Sequence, residues 1–311
     1  MFEKNKVYID YNENLFNFHK VDEKEKIIEI DLDNCEIKGE DDKDNDAEDE
    51  IDAKTDLVTL NYFPLCISHC NITLCYEQDL PQVLSNELIV QFMNIYQIAD
   101  NKSLICGYDS LNAGCVINQL HFEFLMLDDF SNEINKLPIE EREAFPIFET
   151  KLRYKNDKEI SMFDGTTSIK VSQIKGPIVC WKIEAKTSNG ESNYISDMEN
   201  LYQNSISHIV NLILTKLTDK EIPHNITLTD QGKTFYVIPR KPEEKKHKYN
   251  SCWNDLSGLI TCREQQSYDE IDEEKINKFL IEEISLEKTK FDELNEDIIS
   301  QIDTVFEIIK F

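Results

Sequence analysis

Gly107 to Leu127 reads GYDSLNAGCVINQLHFEFLML. A small polar loop, glycine at both ends, runs into a stretch rich in apolar and β-branched residues. Side chains of a strand alternate between two faces. If Val116 to Leu127 is one strand, it is the longest in the chain. Val116, Asn118, Leu120, Phe122, Phe124 and Met126 then share one face. Ile117, Gln119, His121, Glu123 and Leu125 share the other. Three successive polar positions, Gln119, His121 and Glu123, thus fall on one side of an apolar strand. Such a side is either the wet face of an antiparallel sheet or a ligand-facing one. A glycine-containing loop feeding it can bring backbone N–H groups and a nucleophile to one phosphate.

Outward from this stretch the pattern is mixed. Val58 to Tyr76 reads as two strands broken at Pro64, and Ser103 to Cys106 as a short one. After Pro81, the residues Leu84, Leu88, Ile89, Phe92, Met93 and Tyr96 recur at helical spacing, which predicts a helix to about Ile98. Ile178 to Ala185 reads as a strand and Tyr194 to Leu217 as a long amphipathic helix. Asn225 to Thr229 and Thr234 to Pro239 predict a hairpin around Asp230-Gln231-Gly232-Lys233. From Asp269 onward the pattern is helical, with Ile298, Ile302, Val305 and Ile309 on one face. The expected class is α+β, with an antiparallel sheet and peripheral helices.

The 311 residues carry 61 acidic and 33 basic side chains, a formal charge of -28. A field of that sign repels nucleic acid and anionic membrane, so neither is an expected partner. No apolar run approaches a membrane span, and the N-terminus has no signal-peptide core. Nine scattered cysteines read as reduced thiols of a cytoplasmic protein. From Glu40 to Asp56 there are ten acidic and two basic residues, so a disordered acidic insertion is expected at about 36–57. Lys241 to Lys248 reads as a second exposed loop. Cys66, His69, Cys70 and Cys75 have the residue types of a zinc site, but strand alternation splits them between faces, so no metal is expected. There is no Walker loop, Rossmann fingerprint or serine-hydrolase elbow.

The opening segment resembles the active-site region of the GDP-hexose phosphorylases (GDP-L-galactose and GDP-D-glucose phosphorylase). These belong to the histidine-triad superfamily and are related to galactose-1-phosphate uridylyltransferase. That family has a G-x-N-S-L-G-type loop followed by I-N-H-L-H-F-Q or V-N-H-L-H-L-H. Phe16 to Val21, Pro64 to Gln82 with Ser68-His69 and Leu80-Pro81-Gln82, Ser168 to Pro177, Asn225 to Pro239 and Trp253 to Leu294 resemble its other blocks in the same order. The resemblance implies a histidine-triad-like fold of two related halves, here about 1–165 and 166–311.

It also implies roles, position by position. His121 falls on the family's covalent nucleophile. Ser110, Asn118, Gln119, Glu123 and His69 fall on positions that bind the substrate in the family. Gln119 stands where the family has its first histidine, and Glu123 where it has glutamine or a third histidine. Asp109 replaces asparagine, Asn112 and Ser68 replace glycine, and Leu259 replaces a histidine. Lys20, Arg153, Lys170 and Lys233 are the cations considered for phosphate. The implied reaction is guanylyl transfer from a GDP-hexose, through a guanylyl-histidine, to inorganic phosphate, without a cofactor, and a homodimer is compatible with it. The rivals are a non-catalytic guanine-nucleotide or nucleotide-sugar binding relative, and a histidine-triad hydrolase that uses water as acceptor.

Overall fold

The computed structural model describes residues 6–8, 26–31, 36–38, 55–61, 64–99, 101–115, 117–130, 134–154, 167–187, 195–243, 249–262 and 264–310. The chain builds β1 (Lys6–Tyr8), β2 (Lys26–Asp31), β3 (Glu36–Lys38), β4 (Thr55–Leu60), β5 (Cys70–Thr73), α1 (Asn86–Ile98), β6 (Leu104–Asp109) and β7 (His121–Met126). There follow β8 (Ala144–Tyr154), β9 (Thr167–Ile174), β10 (Trp181–Thr187), α2 (Ile195–Asp219), β11 (His224–Thr229) and β12 (Thr234–Pro239). The chain continues with α3 (Trp253–Leu256), β13 (Ile260–Cys262), α4 (Gln265–Glu270), α5 (Glu273–Phe279), a π-helical turn over Leu280–Ile284, α6 (Lys288–Val305) and β14 (Phe306–Lys310).

Twelve strands form one antiparallel sheet in the order β14-β8-β9-β10-β12-β11-β6-β7-β5-β4-β2-β3. β1 and β13 make a small parallel pair. The large sheet is two runs of six strands that meet where β11 pairs with β6. β8, although N-terminal to residue 165, lies among the strands of the second run. This is the α+β class expected from the sequence.

Strand alternation gives the sheet a core on each face. Phe122 and Phe124 of β7 pack on Phe92 and Tyr96 of α1, in one core that also takes in Ile206, Ile209 and Ile213 of α2 and Phe291 and Ile298 of α6. Leu125 points the other way, into a second core with Ile105, Tyr236, Trp253, Leu256 and Phe279. Ser85 caps α1 by accepting the Leu88 N–H. The β11–β12 turn places Asp230, Gln231 and Gly232 at positive φ, as its composition predicts.

Three expectations need correction. The strand at Val116 to Leu127 begins only at His121. Leu120 turns its N–H to Leu80 and its carbonyl to the Leu74 N–H, so the stretch before it is held by loops. Ile309 lies not on a helix but in β14, whose β-branched residues pair with β8 at the sheet edge. The acidic insertion is shorter than expected: 36–38 and 55–57 lie in strands. Residues 39–54 lie outside the described residues, as do Phe16 to Val21, Lys20 among them, and Glu244 to Lys248.

Asp56 in particular is fully buried. It accepts from the Cys75 N–H (2.8 Å) and from Gln91 Nε2 (2.9 and 3.0 Å). Burial pushes its carboxyl up to about 6, against the lowering effect of those donors. A carboxyl with a raised folded pKa binds its proton more tightly in the folded state. Stability is therefore lost as pH rises from the unfolded value through about 6, by about 3 kcal/mol in the limit of 1.36 kcal/mol per pKa unit. Asp56→Asn keeps an acceptor for Cys75, and the Gln91 amide can turn to meet the new NH₂. Denaturant titration should show a gain of up to about 3 kcal/mol at pH 7.5 that shrinks toward pH 4. A loss at pH 7.5 would contradict this account of Asp56.

Candidate active site

Directly opposed residues of antiparallel strands point to the same side of the sheet. His121 pairs with Thr73, and Glu123 with Asn71 on β5 and Gly107 on β6. Gly107 and Asp109 pair in turn with Thr227 and Asn225 on β11. The polar side predicted on one strand thus extends across four, as Asn71, Thr73, His121, Glu123, Asp109, Asn225 and Thr227. Trp253 lies over its middle. It is fully buried, and a Cβ on Gly107 would sit 1.7 Å from its Cδ2 atom, so only glycine leaves room for the indole.

His121 opens β7 and is half-buried. Its Nδ1 lies 2.7 Å from the Gln119 carbonyl oxygen. A carbonyl can only accept, so Nδ1 carries the proton and Nε2 is the ring atom with the lone pair. Burial lowers the pKa of the ring, outweighing the raising effects of that hydrogen bond and of Glu123, so the ring is neutral at pH 7.

Glu123 does not lack donors. Its Oε2 accepts from the Trp253 indole Nε1 at 2.8 Å and lies 3.6 Å from His69 Nε2, and its Oε1 is 3.5 Å from Asn61 Nδ2. His69 is buried, its Nδ1 accepts the Leu65 N–H (3.0 Å), and its Nε2 lies 3.0 Å from the Asn61 side-chain amide as well as beside Glu123. Burial alone would raise the Glu123 carboxyl. His69 beside it, the hydrogen bond from the Trp253 indole and the neighbouring His121 more than offset it and hold it at about 2.

Asp109 behaves in the opposite way. Its Oδ1 accepts from the Trp253 N–H (2.9 Å) and from Asn225 Nδ2. Burial and the nearby charge of Glu123 push its pKa up to about 8, although Asn225, Trp253 and Arg240 lower it. The two carboxyls that Trp253 bridges are therefore shifted apart, Glu123 toward its ionised form and Asp109 toward its protonated one.

The remaining expected residues divide. Gln119 is buried and contributes its carbonyl. Asn118 is exposed, and its Oδ1 accepts the Gln82 N–H at 3.0 Å. The Ser110 hydroxyl accepts the His224 N–H (2.8 Å) and is 3.3 Å from the Leu111 carbonyl, so it ties the loop to β11. Lys170 lies on β9, five strands from β7, roughly 24 Å at the usual strand spacing. Lys233 sits in the β11–β12 turn, at the opposite end of β11 from Asn225 and Asp109. Arg153 is in β8, again in the far half of the sheet. Among the described residues no group of three or more His, Cys, Asp or Glu is placed to hold a metal ion.

Sequence reasoning missed three residues. Gln82 and Trp253 were seen only as members of matching blocks. Arg240 was not seen at all. Its buried guanidinium reaches the Ala113 carbonyl (3.2 Å), the Ser251 carbonyl and the Ser251 hydroxyl (3.0 Å), clamping the 110–115 loop to the segment before α3.

Fold and site together define a class: an antiparallel α+β protein whose sheet carries a neutral, backbone-oriented histidine among buried polar groups. The chain belongs to the GDPGP1-like family, matching its N-terminal domain over residues 1–125 and its C-terminal domain over residues 158–305. GDP-L-galactose phosphorylase 2 of Arabidopsis thaliana is 24% identical over 324 aligned residues, covering 97% of this chain. The chain spans 64% of that relative's length. Among solved structures, yeast Ap4A phosphorylase Apa2 in complex with Ap4A is 16% identical, with a TM-score of 0.45 over 73% of this chain and 72% of that one. A uridylyltransferase is 10% identical, with a TM-score of 0.37 over 80% of this chain and all of the other. No helix among the described residues is long and apolar enough to cross a membrane.

Proposed function

We propose that this protein is a nucleotidyltransferase of the GDP-hexose phosphorylase type, with His121 as its nucleophile. The observation that carries the reading is the Nδ1 contact to the Gln119 carbonyl, which orients the imidazole and leaves the ring lone pair on Nε2. Membership of the GDPGP1-like family and the relative named a GDP-L-galactose phosphorylase support the substrate class. The Nε2 lone pair attacks the α-phosphorus of a GDP-hexose. The N–P bond forms as the bond from that phosphorus to the bridging oxygen breaks, and hexose-1-phosphate leaves with the electron pair. The positive charge of the phosphorylated ring rests against the Gln119 carbonyl through Nδ1–H. An oxygen of inorganic phosphate then displaces His121, giving GDP and the neutral ring.

The pH dependence follows from the lowered His121 pKa. Only the neutral ring attacks, so the acid limb of the profile has its midpoint below the ordinary histidine value. A steady-state pH profile with its acid limb above the ordinary value would contradict the assignment.

Ionised Glu123 favours a second reading, a nucleotide-binding relative without turnover, since a carboxylate close to phosphate oxygens repels them. Substitution separates the two. In the enzyme reading Glu123 anchors Trp253 and helps fix His69. Glu123→Gln replaces charge-assisted hydrogen bonds with neutral ones and should lower phosphorolysis of GDP-glucose about tenfold, at neutral and alkaline pH alike. A gain in activity would mean that the carboxylate obstructs the phosphate, and would favour the binding protein.

A further inference from the structure

β6 and β7 pair in register from Leu104 opposite Met126 to Gly107 opposite Glu123. Two residues further along, Asp109 would stand opposite His121, but the backbone does not make that pair. A side chain occupies the gap. Gln82 Nε2 donates to the carbonyl oxygens of Asp109 (2.9 Å) and His121 (3.1 Å), and Gln82 Oε1 accepts the His121 N–H (2.9 Å).

Gln82 is itself fixed on every side. It is 2% exposed, its N–H donates to Asn118 Oδ1 (3.0 Å), and its carbonyl accepts from the Tyr108 hydroxyl (2.7 Å). One amide side chain thus satisfies three main-chain groups that a ladder pair would otherwise satisfy. It also holds β6 and β7 apart where His121 begins. Unmet, those main-chain groups would carry the desolvation penalty of orphaned polar atoms.

We propose that Gln82 is a positioning residue for group transfer. It fixes the His121 main chain from both its N–H and its carbonyl, while Gln119 fixes the ring. The inference rests on the reading of His121 as nucleophile. Displacing a reacting group by about 1 Å costs on the order of 100-fold in rate. Gln82 touches the backbone of His121, so its loss acts on the guanylylation rate and not on affinity for the nucleotide sugar.

The test is single-turnover guanylylation of the full chain by GDP-glucose, without phosphate, in the parent, Gln82→Leu and Gln82→Glu. Gln82→Leu should react about 100-fold more slowly, with the GDP-glucose concentration at half-maximal rate changed less than about threefold. Gln82→Glu keeps the acceptor for the His121 N–H but loses both donors while ionised. Its rate should be low at alkaline pH, and its ratio to the parent should climb as pH falls and a carboxyl O–H returns one donor. A merely structural residue would not give that climb. If Gln82→Leu fails to fold, the pH ratio of Gln82→Glu decides. A guanylylated parent with both variants at the parental rate overturns this inference alone, as does a loss of affinity in step with rate. A parent that is never guanylylated overturns the nucleophile reading, and this inference with it.

Discussion

His121→Ala should abolish phosphorolysis of GDP-glucose, lowering kcat by roughly 10⁴-fold or more, because it removes the atom that forms the covalent bond. The fold should survive. The ring is half-buried, and its Nδ1 hydrogen bond to Gln119 contributes about 1 kcal/mol. The backbone of residue 121 stays pinned by Gln82 and by its pairing with Thr73. Activity assays on a variant whose unfolding midpoint stays near the parent's check both halves. Parental activity in a folded His121→Ala protein would remove the nucleophile from this account.

Gly107→Ala should be the most damaging change of a single methyl group. The added Cβ would lie 1.7 Å from Cδ2 and 2.2 Å from Cγ and Cε2 of Trp253, so the indole must move. It cannot move without penalty. Its Nε1–H serves ionised Glu123, its backbone N–H serves Asp109, and it is a fully buried member of the second core. Overpacking and a lost hydrogen bond to a charged group together come to about 3 kcal/mol or more. Activity should fall as well, since Glu123 and Asp109 lose their shared partner. Trp253→Leu in the same chain relieves the collision, so the double variant should be less destabilised than the sum of the singles. Strict additivity in denaturant titrations would show that the indole does not set the requirement for glycine.

Much of the frame was legible in the sequence because it rests on local periodicity. α1, α2 and the β11–β12 hairpin follow from apolar spacing and turn residues that lie within one segment. The alternation of Phe122 and Phe124 against His121, Glu123 and Leu125 likewise survives as two cores on two faces. Local reading failed where distant chain decides. The stretch before His121 has strand composition, yet Leu74 and Leu80 take its main-chain groups. FEIIK at the C-terminus continues a helical spacing, yet β8 offers it an edge.

The site divides in the same way. His121 was visible as a polar position on an apolar strand and through the family motif. Its supports were not, because Gln82 is 39 residues away from it and Trp253 is 130 away from Glu123. Glu123 looked like an obstacle because no residue adjacent in sequence supplies a donor to it. The donors come from the loop before β5 and from α3. Ser110 shows the converse: a hydroxyl in a glycine-bounded loop suggests phosphate, but β11 presents the His224 N–H to it.

The central claim is the covalent step, and intact-protein mass spectrometry after mixing with GDP-glucose in the absence of phosphate tests it most directly. The account predicts one guanylyl group per chain, located at His121 by peptide mapping, absent from His121→Ala and released as GDP when phosphate is added. An unmodified protein under conditions where it binds GDP-glucose, or a guanylyl group on any residue other than His121, would contradict it.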